Sequence, residues 1–363
     1  MVSNFKIDFE DCAFEDLKCR IDGVRLPDFS GVADWTLGTP VEALKRVLAE
    51  WKEYDWKPQQ YYLNSFPQFM CRIGGVDLHF FHIKSAMNDA PTILMAHGWP
   101  DSFLRYSKTF PLLKDFNLVV PTIPGFGFST LPRKGWVNNA ETAEIWHLLM
   151  NEVLGYKKYF ATGGDMGRGA LFYLAANHPD EVVGLHLTDV GVASSIMTAN
   201  EENLPAEYIE YRKTMLQWMK RDGAYINIQG SKPYSLGYGL SDSPAAMAGW
   251  LLEKFHDWSD WARFSTEDLL NNLTLYWMAG CASSSITAYY GNSFTLPPLG
   301  KVSQPIGIVR FPHDILPAPR KWIEDNYNVV QFSEMPFGGH FTAMEAPEAF
   351  SDNLAKFIGI INH

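Results

Sequence analysis

The 363-residue chain has only four cysteines, no long cluster of basic residues and no long uninterrupted apolar run. The cysteines form no C-x-x-C pair and no metal-like group with histidine, so the simplest interpretation is a reduced, cytoplasmic protein. A bridge between Cys12 and Cys19 is an open alternative. Because the chain also lacks a ligand cluster and a phosphate-binding loop, we expect neither a metal nor a cofactor.

Signals for membranes and nucleic acids are missing as well. The first residues, MVSNFKIDFEDCAFEDLK, mix acidic and apolar side chains and lack the apolar core of a signal peptide. No apolar stretch is long enough to cross a bilayer, so we expect no membrane anchor. The net charge of −11 argues against nucleic acid, because phosphate binding needs a concentrated basic surface. We expect a monomer or a homodimer.

Apolar and aromatic residues are abundant. An apolar content of 47 % and a charged content of 20 % are typical of a soluble globular protein with a sizeable core. The chain has 12 Trp, 24 Phe and 16 Tyr, and aromatic side chains line apolar ligand pockets as well as cores. The composition therefore suits an enzyme or a binding protein with an apolar pocket.

Residues 1–65 are predicted to be an irregular N-terminal extension with one helix. That helix spans 39–54, with Thr39 as its N-cap, Pro40 at the first helical position and Glu42 at the third. Its apolar residues recur at helical spacing.

The chain then alternates strand and helix patterns. Residues 69–83 indicate a hairpin that turns at Gly74 and Gly75. Six strands follow, the first two as continuous apolar runs typical of strands covered on both faces: 92–97, 116–123, 157–164, 182–189, 305–311 and 328–334. Helices are predicted over 169–178 and 346–361. This alternation predicts an α/β fold with a mainly parallel sheet.

Residues 192–295 interrupt the alternation. The segment is helical and aromatic, and Ser265 with Asp268 three residues later resembles a capping box. We interpret it as a helical lid inserted into the α/β domain. The predicted parts are an extension over 1–65, a core over 66–191 and 296–363, and a lid over 192–295.

The stretch ATGGDMGRGA (161–170) lies between a predicted strand and a predicted helix. Small residues flank Asp165 on both sides, as in a nucleophile elbow, the tight turn that presents one reactive side chain in the α/β-hydrolase fold. A glycine-rich turn with Asp165 as a helix N-cap is the structural alternative.

The HGWP motif (97–100) directly follows a predicted strand. In this fold the loop after that strand supplies one oxyanion-hole N–H, and the residue after the nucleophile supplies the other. The two donors would be the backbone N–H groups of Trp99 and Met166. We interpret the side chain of His97 as a buried structural histidine.

The remaining catalytic candidates follow later strands. The fold's chain order is nucleophile, acid, histidine, and His340 falls where the base belongs. Asp314, just after the strand at 305–311, is the natural orienting acid. Asp189 is the second choice of acid, and His313 is a decoy or a surface residue.

A carboxylate at the elbow indicates a particular reaction. Asp165 is charged near neutral pH, so it would attack an sp³ carbon and form an alkyl ester. His340 would then activate the water that attacks the ester carbonyl. The substrate therefore carries an epoxide oxygen or a halide. An epoxide oxygen needs an acid to open, and the residues alone do not choose among the lid tyrosines Tyr208, Tyr211, Tyr225, Tyr234, Tyr238, Tyr276, Tyr289 and Tyr290.

The chain resembles the microsomal-type epoxide hydrolase family. The leader DWTLGTPVEALKRVLAEWKEYDWKPQQYYLNSFPQF and the motifs HGWP, PGFGFS, GGDMG, SDSPAAMAGWLLEKF, LYW and GGHF carry this resemblance over most of the chain. It implies that Asp165 is the nucleophile, His340 the base and Asp314 the acid. It also implies two lid tyrosines: Tyr225 in AYINIQGSKP, and Tyr289 in SSITAYYGN with Tyr290 as the alternative.

The chain departs from the family pattern at two positions. Met166 stands where many members carry tryptophan, which makes the pocket floor softer. Asp101 follows HGWP where a small residue is common, and a carboxylate near the cavity mouth would raise the His340 pKa or disfavour anionic substrates. The membrane-bound members begin with an anchor helix, whereas this chain resembles the soluble members.

The sequence thus predicts a cofactor-independent epoxide hydrolase that converts an apolar, aromatic or bulky epoxide and water to a vicinal diol. A haloalkane-type dehalogenase on the same fold is the nearest alternative, although a halide-binding tryptophan is missing beside Asp165. A non-catalytic small-molecule binding protein is the second alternative, and the set of Asp165, Asp314 and His340 argues against it.

Overall fold

The computed structural model describes residues 2–29 and 34–362. Within them the strands are β1 (Val2–Phe5), β2 (Gln68–Ile73), β3 (Val76–Ile83), β4 (Thr92–Ala96), β5 (Asn117–Pro121), β6 (Tyr159–Gly163), β7 (Val182–Leu187), β8 (Ile306–Arg310) and β9 (Val329–Glu334). They form one sheet in the order β1-β2-β3-β5-β4-β6-β7-β8-β9. Pairing is antiparallel from β1 through β3 to β5 and parallel from β5 to β9, so the predicted α/β fold with a mainly parallel sheet is confirmed.

Helices cover both faces of the sheet and fill the segment between β7 and β8. They are α1 (Asp11–Asp22), α2 (Val41–Glu53), α3 (Lys57–Asn64), α4 (Leu104–Ser107), α5 (Asn139–Leu148), α6 (Asp165–Asn177), α7 (Ser194–Thr198), α8 (Ala206–Arg221), α9 (Ala224–Ser231), α10 (Pro233–Asp242), α11 (Pro244–Trp258), α12 (Thr266–Met278), α13 (Ala282–Ser285), α14 (Thr287–Phe294), α15 (Arg320–Asn326), α16 (Thr342–Glu345) and α17 (Pro347–Asn362). Buried apolar residues of the leader, the sheet and the helices between β7 and β8 join in one continuous core.

The central strands follow directly from their sequences. Every residue of β4 and β6 is buried, as expected of strands that have helices on both faces. At the sheet's antiparallel side, β2 and β3 pair through the predicted hairpin. Gly74 and Gly75 take φ values of 57° and 82° there, which side chains other than glycine rarely adopt.

The N-terminal extension is more ordered than predicted. The prediction of an irregular leader with one helix is wrong, because β1, α1 and α3 form besides α2. The predicted cap of α2 is also wrong. The helix begins at Val41 with Pro40 at its N-cap position, and the Thr39 hydroxyl instead donates to the carbonyl of Gly249, at 2.7 Å. This long-range partner outweighs the local capping preference of threonine.

The extension packs against the helices between β7 and β8. The Trp51 indole N–H donates to the Thr274 hydroxyl at 2.9 Å, and the Tyr54 hydroxyl donates to the Asn271 side chain at 2.9 Å. Trp51 is almost fully buried. These two hydrogen bonds therefore attach the leader to α12.

Two negative findings concern the part of the chain that the structure describes. None of its helices combines the length and the apolar character that a membrane span requires. All four cysteines carry free thiols, so the alternative of a bridge between Cys12 and Cys19 is not realised.

Helix α6 sits unusually close to β4. A methyl group added at Gly167 would lie 2.5 Å from the carbonyl oxygens of both Ala96 and His97. Those oxygens belong to the backbone and cannot swing aside as a flexible side chain would. Glycine at this position therefore allows the first turn of α6 to approach the end of β4.

We expect Gly167→Ala to lower the free energy of unfolding by about 1–3 kcal/mol or more, because the added methyl overpacks a rigid contact. The measurement is urea denaturation followed by circular dichroism. Gly239→Ala is the matched control, since Gly239 is an exposed glycine of α10 whose added methyl would meet nothing within 4 Å. That variant should gain about 0.5–1 kcal/mol from helix propensity. Equal stability of the two variants would contradict the packing argument.

Candidate active site

Asp165 stands at a sharp turn between β6 and α6. Its φ of 53° lies in the left-handed region, which is costly for a residue with a side chain. The backbone of the turn is held in place, because the Asp165 N–H donates to Asp189 Oδ2 at 2.7 Å. A methyl group at Gly164 would lie 2.1 Å from the Thr188 hydroxyl, so a side chain before Asp165 would force Thr188 to move. This is the geometry of a nucleophile elbow.

The Asp165 carboxylate is held as an anion. Its Oδ1 accepts a hydrogen bond from the Trp99 backbone N–H at 2.8 Å. Burial alone would raise the pKa of Asp165, but His340 and the backbone N–H groups of Trp99 and Met166 outweigh burial and lower it to about 2. The two predicted oxyanion-hole donors therefore both point at this carboxylate.

His340 lies between two carboxylates. Its Nδ1 is 2.7 Å from Asp314 Oδ1, which is a hydrogen-bond distance. Its Nε2 is 3.6 Å from Asp165 Oδ2, which is the distance of an ion pair and is longer than a hydrogen bond. Burial would lower the pKa of His340, but the negative charges of Asp314 and Asp165 raise it to about 10. The imidazole is therefore cationic when Asp165 is charged. The three predicted residues meet although they are far apart in sequence.

The alternative candidates have other partners. Asp189 lines the cavity but accepts hydrogen bonds from the backbone N–H groups of Asp165 and Gly191 and from Arg168. The side chain of His313 is exposed. His97 is fully buried and its Nε2 accepts from the Ile123 N–H, while burial lowers its pKa to about 4. These contacts indicate structural roles for Asp189 and His97.

Tyr225 of α9 and Tyr289 of α14 line the same cavity as Asp165. Their rings contact each other, with centroids 5.9 Å apart, and both contact the indole of Trp99. Burial raises the pKa of both phenols above the ordinary value, so each keeps its proton at neutral pH. The two hydroxyl groups also interact with each other, and each phenol retains a proton that it can donate.

Tyr290 lies apart from this pair. Its ring packs on Trp136 and Phe294 and lines a different cavity. Among the other candidate tyrosines, Tyr276 donates to the Asp101 carbonyl and Tyr211 accepts from the Ala193 N–H. Tyr208 is half-buried, whereas Tyr234 and Tyr238 are exposed. Tyr225 and Tyr289 are the tyrosines of the described residues that line the cavity at Asp165.

The cavity has a volume of about 270 Å³ and opens between the carboxyl ends of the parallel strands and the overlying helices. Asp165, His340, Asp314, Tyr225 and Tyr289 all contribute to its surface. Most of the remaining wall is apolar: Met166, Val190, Val192, Met215, Trp218, Met219, Ile226, Ile308, Ile315, Leu316, Pro317, Ala318 and Ile323. Such a wall favours a small ligand with little charge.

The expectation that Asp101 lies near the cavity mouth is wrong. Asp101 is fully buried, where its carboxylate accepts hydrogen bonds from the Gly98 N–H and from Arg105 Nε. Arg105 in turn donates to the carbonyl of His340 at 2.8 Å. The pair therefore connects the loop that carries Trp99 to the loop that carries His340. The i, i+4 spacing of the two opposite charges was the signal available in the sequence.

Glu345 is a second buried acid that sequence reasoning missed. Its carboxylate accepts from the backbone N–H groups of Phe341 and Asp260, at 2.9 and 2.6 Å. Burial raises the pKa of Glu345 to about 7 despite these hydrogen bonds. Glu345 thus anchors the loop just after His340 to the end of α11. No local motif marks it, since its partners are backbone groups.

One group of side chains in the described residues has the composition of a metal site. His147, His178 and Glu181 bring potential ligand atoms within 4.8 Å of one another. The two imidazole rings stack in parallel at 3.5 Å, so their lone pairs run side by side and do not converge on one ion. The group also lies at the opposite end of α6 from Asp165. It is therefore separate from the cavity chemistry.

Comparison with protein families identifies two matching regions. Residues 2–106 match the family described as "Epoxide hydrolase N terminus". Residues 91–224 match the family described as "alpha/beta hydrolase fold". The first match covers the leader, and the second covers the elbow and the loop that carries Trp99.

Relatives match over nearly the whole chain. "Epoxide hydrolase 1" of Oryctolagus cuniculus is 32 % identical, over 98 % of this chain and 88 % of that protein. The structure of Aspergillus niger epoxide hydrolase is similar with a TM-score of 0.90 and 30 % identity, over 99 % of this chain and 97 % of that one. The structure of juvenile hormone epoxide hydrolase from the silkworm Bombyx mori is similar with a TM-score of 0.87 and 28 % identity, over 100 % of this chain and 95 % of that one. The chain therefore belongs to the epoxide hydrolase family, as its leader and motifs predicted, and is an enzyme with the α/β-hydrolase fold.

Proposed function

We propose that this enzyme converts an apolar epoxide and water to a vicinal diol through an ester on Asp165. The observation that carries the proposal is the arrangement around one cavity. A buried carboxylate anion faces two protonated phenols across an apolar space, and the His340–Asp314 pair stands behind the carboxylate. An epoxide needs a nucleophile at carbon and an acid at oxygen, and this cavity offers both.

In the proposed first step, Asp165 attacks one epoxide carbon. Oδ1 is engaged by the Trp99 N–H, so Oδ2 is the oxygen with a free lone pair for attack. The carbon–oxygen bond of the epoxide breaks, and its electron pair stays on the oxygen. That oxygen takes the phenolic proton of Tyr225 or Tyr289, which leaves a hydroxyl on the product carbon and a phenolate on the enzyme.

In the second step, His340 acts as a base. Forming the ester removes the negative charge of Asp165, which is one of the causes that raise the His340 pKa. The pKa therefore falls, and His340 releases its proton, which restores the phenol through solvent. The neutral imidazole then takes a proton from water, whose oxygen attacks the Asp165 carbonyl carbon. The N–H groups of Trp99 and Met166 stabilise the resulting oxyanion. Its collapse breaks the ester bond, and the departing alkoxide takes the proton from the His340 imidazolium to give the diol. The Asp165 carboxylic acid then passes its proton to His340, which restores the starting ion pair.

The proposal includes the three parts predicted from the sequence. We assign the extension to 1–65, the catalytic core to 66–191 and 296–363, and the lid to 192–295. The lid assignment is supported by the helices α7 to α14, which all lie between β7 and β8 and carry both cavity tyrosines. Trp218 and the methionines of α8 also come from this segment and line the cavity, which supports an aromatic or bulky substrate.

The two alternatives gain no specific support. A halide leaves as an anion and needs no proton, so a dehalogenase would have no use for two buried phenols beside Asp165. A non-catalytic binding protein would have no need of a charged carboxylate in an apolar cavity, because burying an unused anion is costly.

Isotope labelling tests the proposed ester directly. With excess enzyme, styrene oxide and ¹⁸O-labelled water, we expect an unlabelled diol and label in the Asp165 peptide, because water attacks the carboxyl carbon. Mass spectrometry of the diol and of the digested protein gives both readings. Asp165→Ala is the control and should form no diol. Label in the diol, with none in the peptide, would mean that water attacks the epoxide itself.

Replacement of the tyrosines tests the acid. General acids contribute about 10²–10⁴-fold, so Tyr225→Phe and Tyr289→Phe should each slow ester formation by about 10-fold or more. Tyr290→Phe is the matched control and should change the rate by less than about 2-fold, since Tyr290 packs outside the cavity. Rapid quenching followed by intact-protein mass measures ester formation. A larger loss for Tyr290→Phe than for Tyr289→Phe would reverse the assignment.

The two steps should respond differently to pH. Because the pKa of Asp165 is lowered to about 2, ester formation should not slow as the pH falls through the weakly acidic range. Ester hydrolysis needs neutral His340, so its rate should rise with pH. Beside charged Asp165 the pKa of His340 is about 10. The ester lacks that charge, so the hydrolysis rate should level off at a lower pH than this. The ester should therefore accumulate at low pH, as measured by quenched mass spectra.

Asp314→Asn supplies the control for this pH dependence. Removing a carboxylate beside His340 lowers the imidazolium pKa, so the hydrolysis profile should shift to lower pH. An ester fraction that grows as the pH rises would exclude His340 as the base.

A further inference from the structure

Lys254 is a buried cation next to one of the cavity tyrosines. Its side chain is only 4 % exposed and lies within α11 among apolar neighbours. The ammonium nitrogen is 4.8 Å from the ring centroid of Tyr225 and 5.8 Å from that of Trp258. Burying an ammonium costs several kcal/mol, so an apolar side chain would be the cheaper occupant of a purely structural position.

We infer that Lys254 is a positioning residue for epoxide opening, and that its ammonium stabilises the negative charge that Tyr225 gains as it donates its proton. The inference rests on the proposed function. When the epoxide carbon–oxygen bond breaks, the oxygen takes the phenolic proton and Tyr225 becomes a phenolate. A cation over an aromatic ring is attracted more strongly as the ring gains electron density.

The partner of Lys254 does not cancel this effect. Lys254 Nζ donates to Glu253 Oε1 at 2.6 Å. The Glu253 side chain is 22 % exposed, whereas Lys254 is almost fully enclosed. Water therefore screens the carboxylate more than the ammonium. Glu253 raises the pKa of the Tyr225 phenol, so it weakens the effect of the ammonium, and its removal should favour the phenolate.

The ring of Tyr225 is also fixed in orientation. It stacks on Trp99 with centroids 5.4 Å apart and planes 14° apart, and it contacts Trp258 at 5.3 Å. Trp99 supplies the N–H that holds Asp165, so the same indole aligns the nucleophile and the phenol. Lys254 would act on a ring whose position is already set, which makes its charge the variable to test.

The test is the rate of ester formation on Asp165 in a single turnover with styrene oxide, measured by rapid quenching and intact-protein mass. Lys254→Met keeps the aliphatic packing and removes the charge, so it should slow ester formation by about 10-fold. Lys254→Arg should recover most of the loss. If the wild-type enzyme forms no ester, both the proposed function and this inference fail. If the wild-type enzyme forms the ester and Lys254→Met forms it equally fast, only this inference fails.

A double-mutant cycle distinguishes charge from structure. If Lys254 acts through the phenol of Tyr225, Lys254→Met should change the rate by less than about 2-fold once Tyr225→Phe is present. A merely structural lysine would slow both backgrounds equally, and that result would overturn the inference.

Glu253→Gln gives a second readout with the opposite sign. This variant removes the carboxylate and leaves the ammonium, so the field argument predicts ester formation at least as fast as in the wild-type enzyme. A structural role of the Lys254–Glu253 pair predicts a loss similar to that of Lys254→Met. A slower Glu253→Gln enzyme would therefore contradict the inference even if Lys254→Met folds poorly.

Discussion

The buried anion of Asp165 is the constraint on which the rest of the site depends. Transferring a carboxylate from water to an apolar cavity is costly unless charges and hydrogen bonds compensate. Here the compensation comes from the Trp99 N–H at 2.8 Å and from cationic His340 at 3.6 Å. Because each contact comes from a different loop, the site exists only while these loops keep their relative positions.

That requirement explains the polar groups placed beneath the cavity. Arg105 joins the loop of Trp99, through Asp101, to the backbone of His340. Glu345 ties the residue after His340 to the end of α11, and Asp189 fixes the backbone of Asp165. Asp101 and Glu345 are buried, whereas Asp189 also contributes to the surface of the cavity. All three acids hold backbone groups, so each of them helps to set the distances within the site.

Much of this arrangement could be predicted from the sequence, for a physical reason. Strands with both faces covered give continuous apolar runs, and parallel strands end at one edge, so Asp165, Asp314 and His340 had to meet there. Contacts between distant segments were out of reach. The hydroxyl of Thr39 bonds to Gly249 instead of capping its helix. Asp101 is buried beside Arg105, and composition alone does not show where the Arg105 side chain points. Neighbouring helical residues point about 100° apart, so only the packing of α14 separates Tyr289 from Tyr290.

In the proposed mechanism, negative charge moves through the cavity in an order that the fixed cations match. Before reaction the negative charge is on Asp165 and faces His340. After the epoxide opens it is on a phenol, and Tyr225 has the ammonium of Lys254 at 4.8 Å from its ring. During hydrolysis it returns to the oxygen beside the Trp99 N–H. Because a cation or donor already stands at each position, the protein need not reorganise as the charge moves, which is the condition under which electrostatic stabilisation is most effective. The apolar wall around Met166 and Trp218 contributes to the same end, since apolar side chains offer water no hydrogen-bond partners and a bound substrate would displace it.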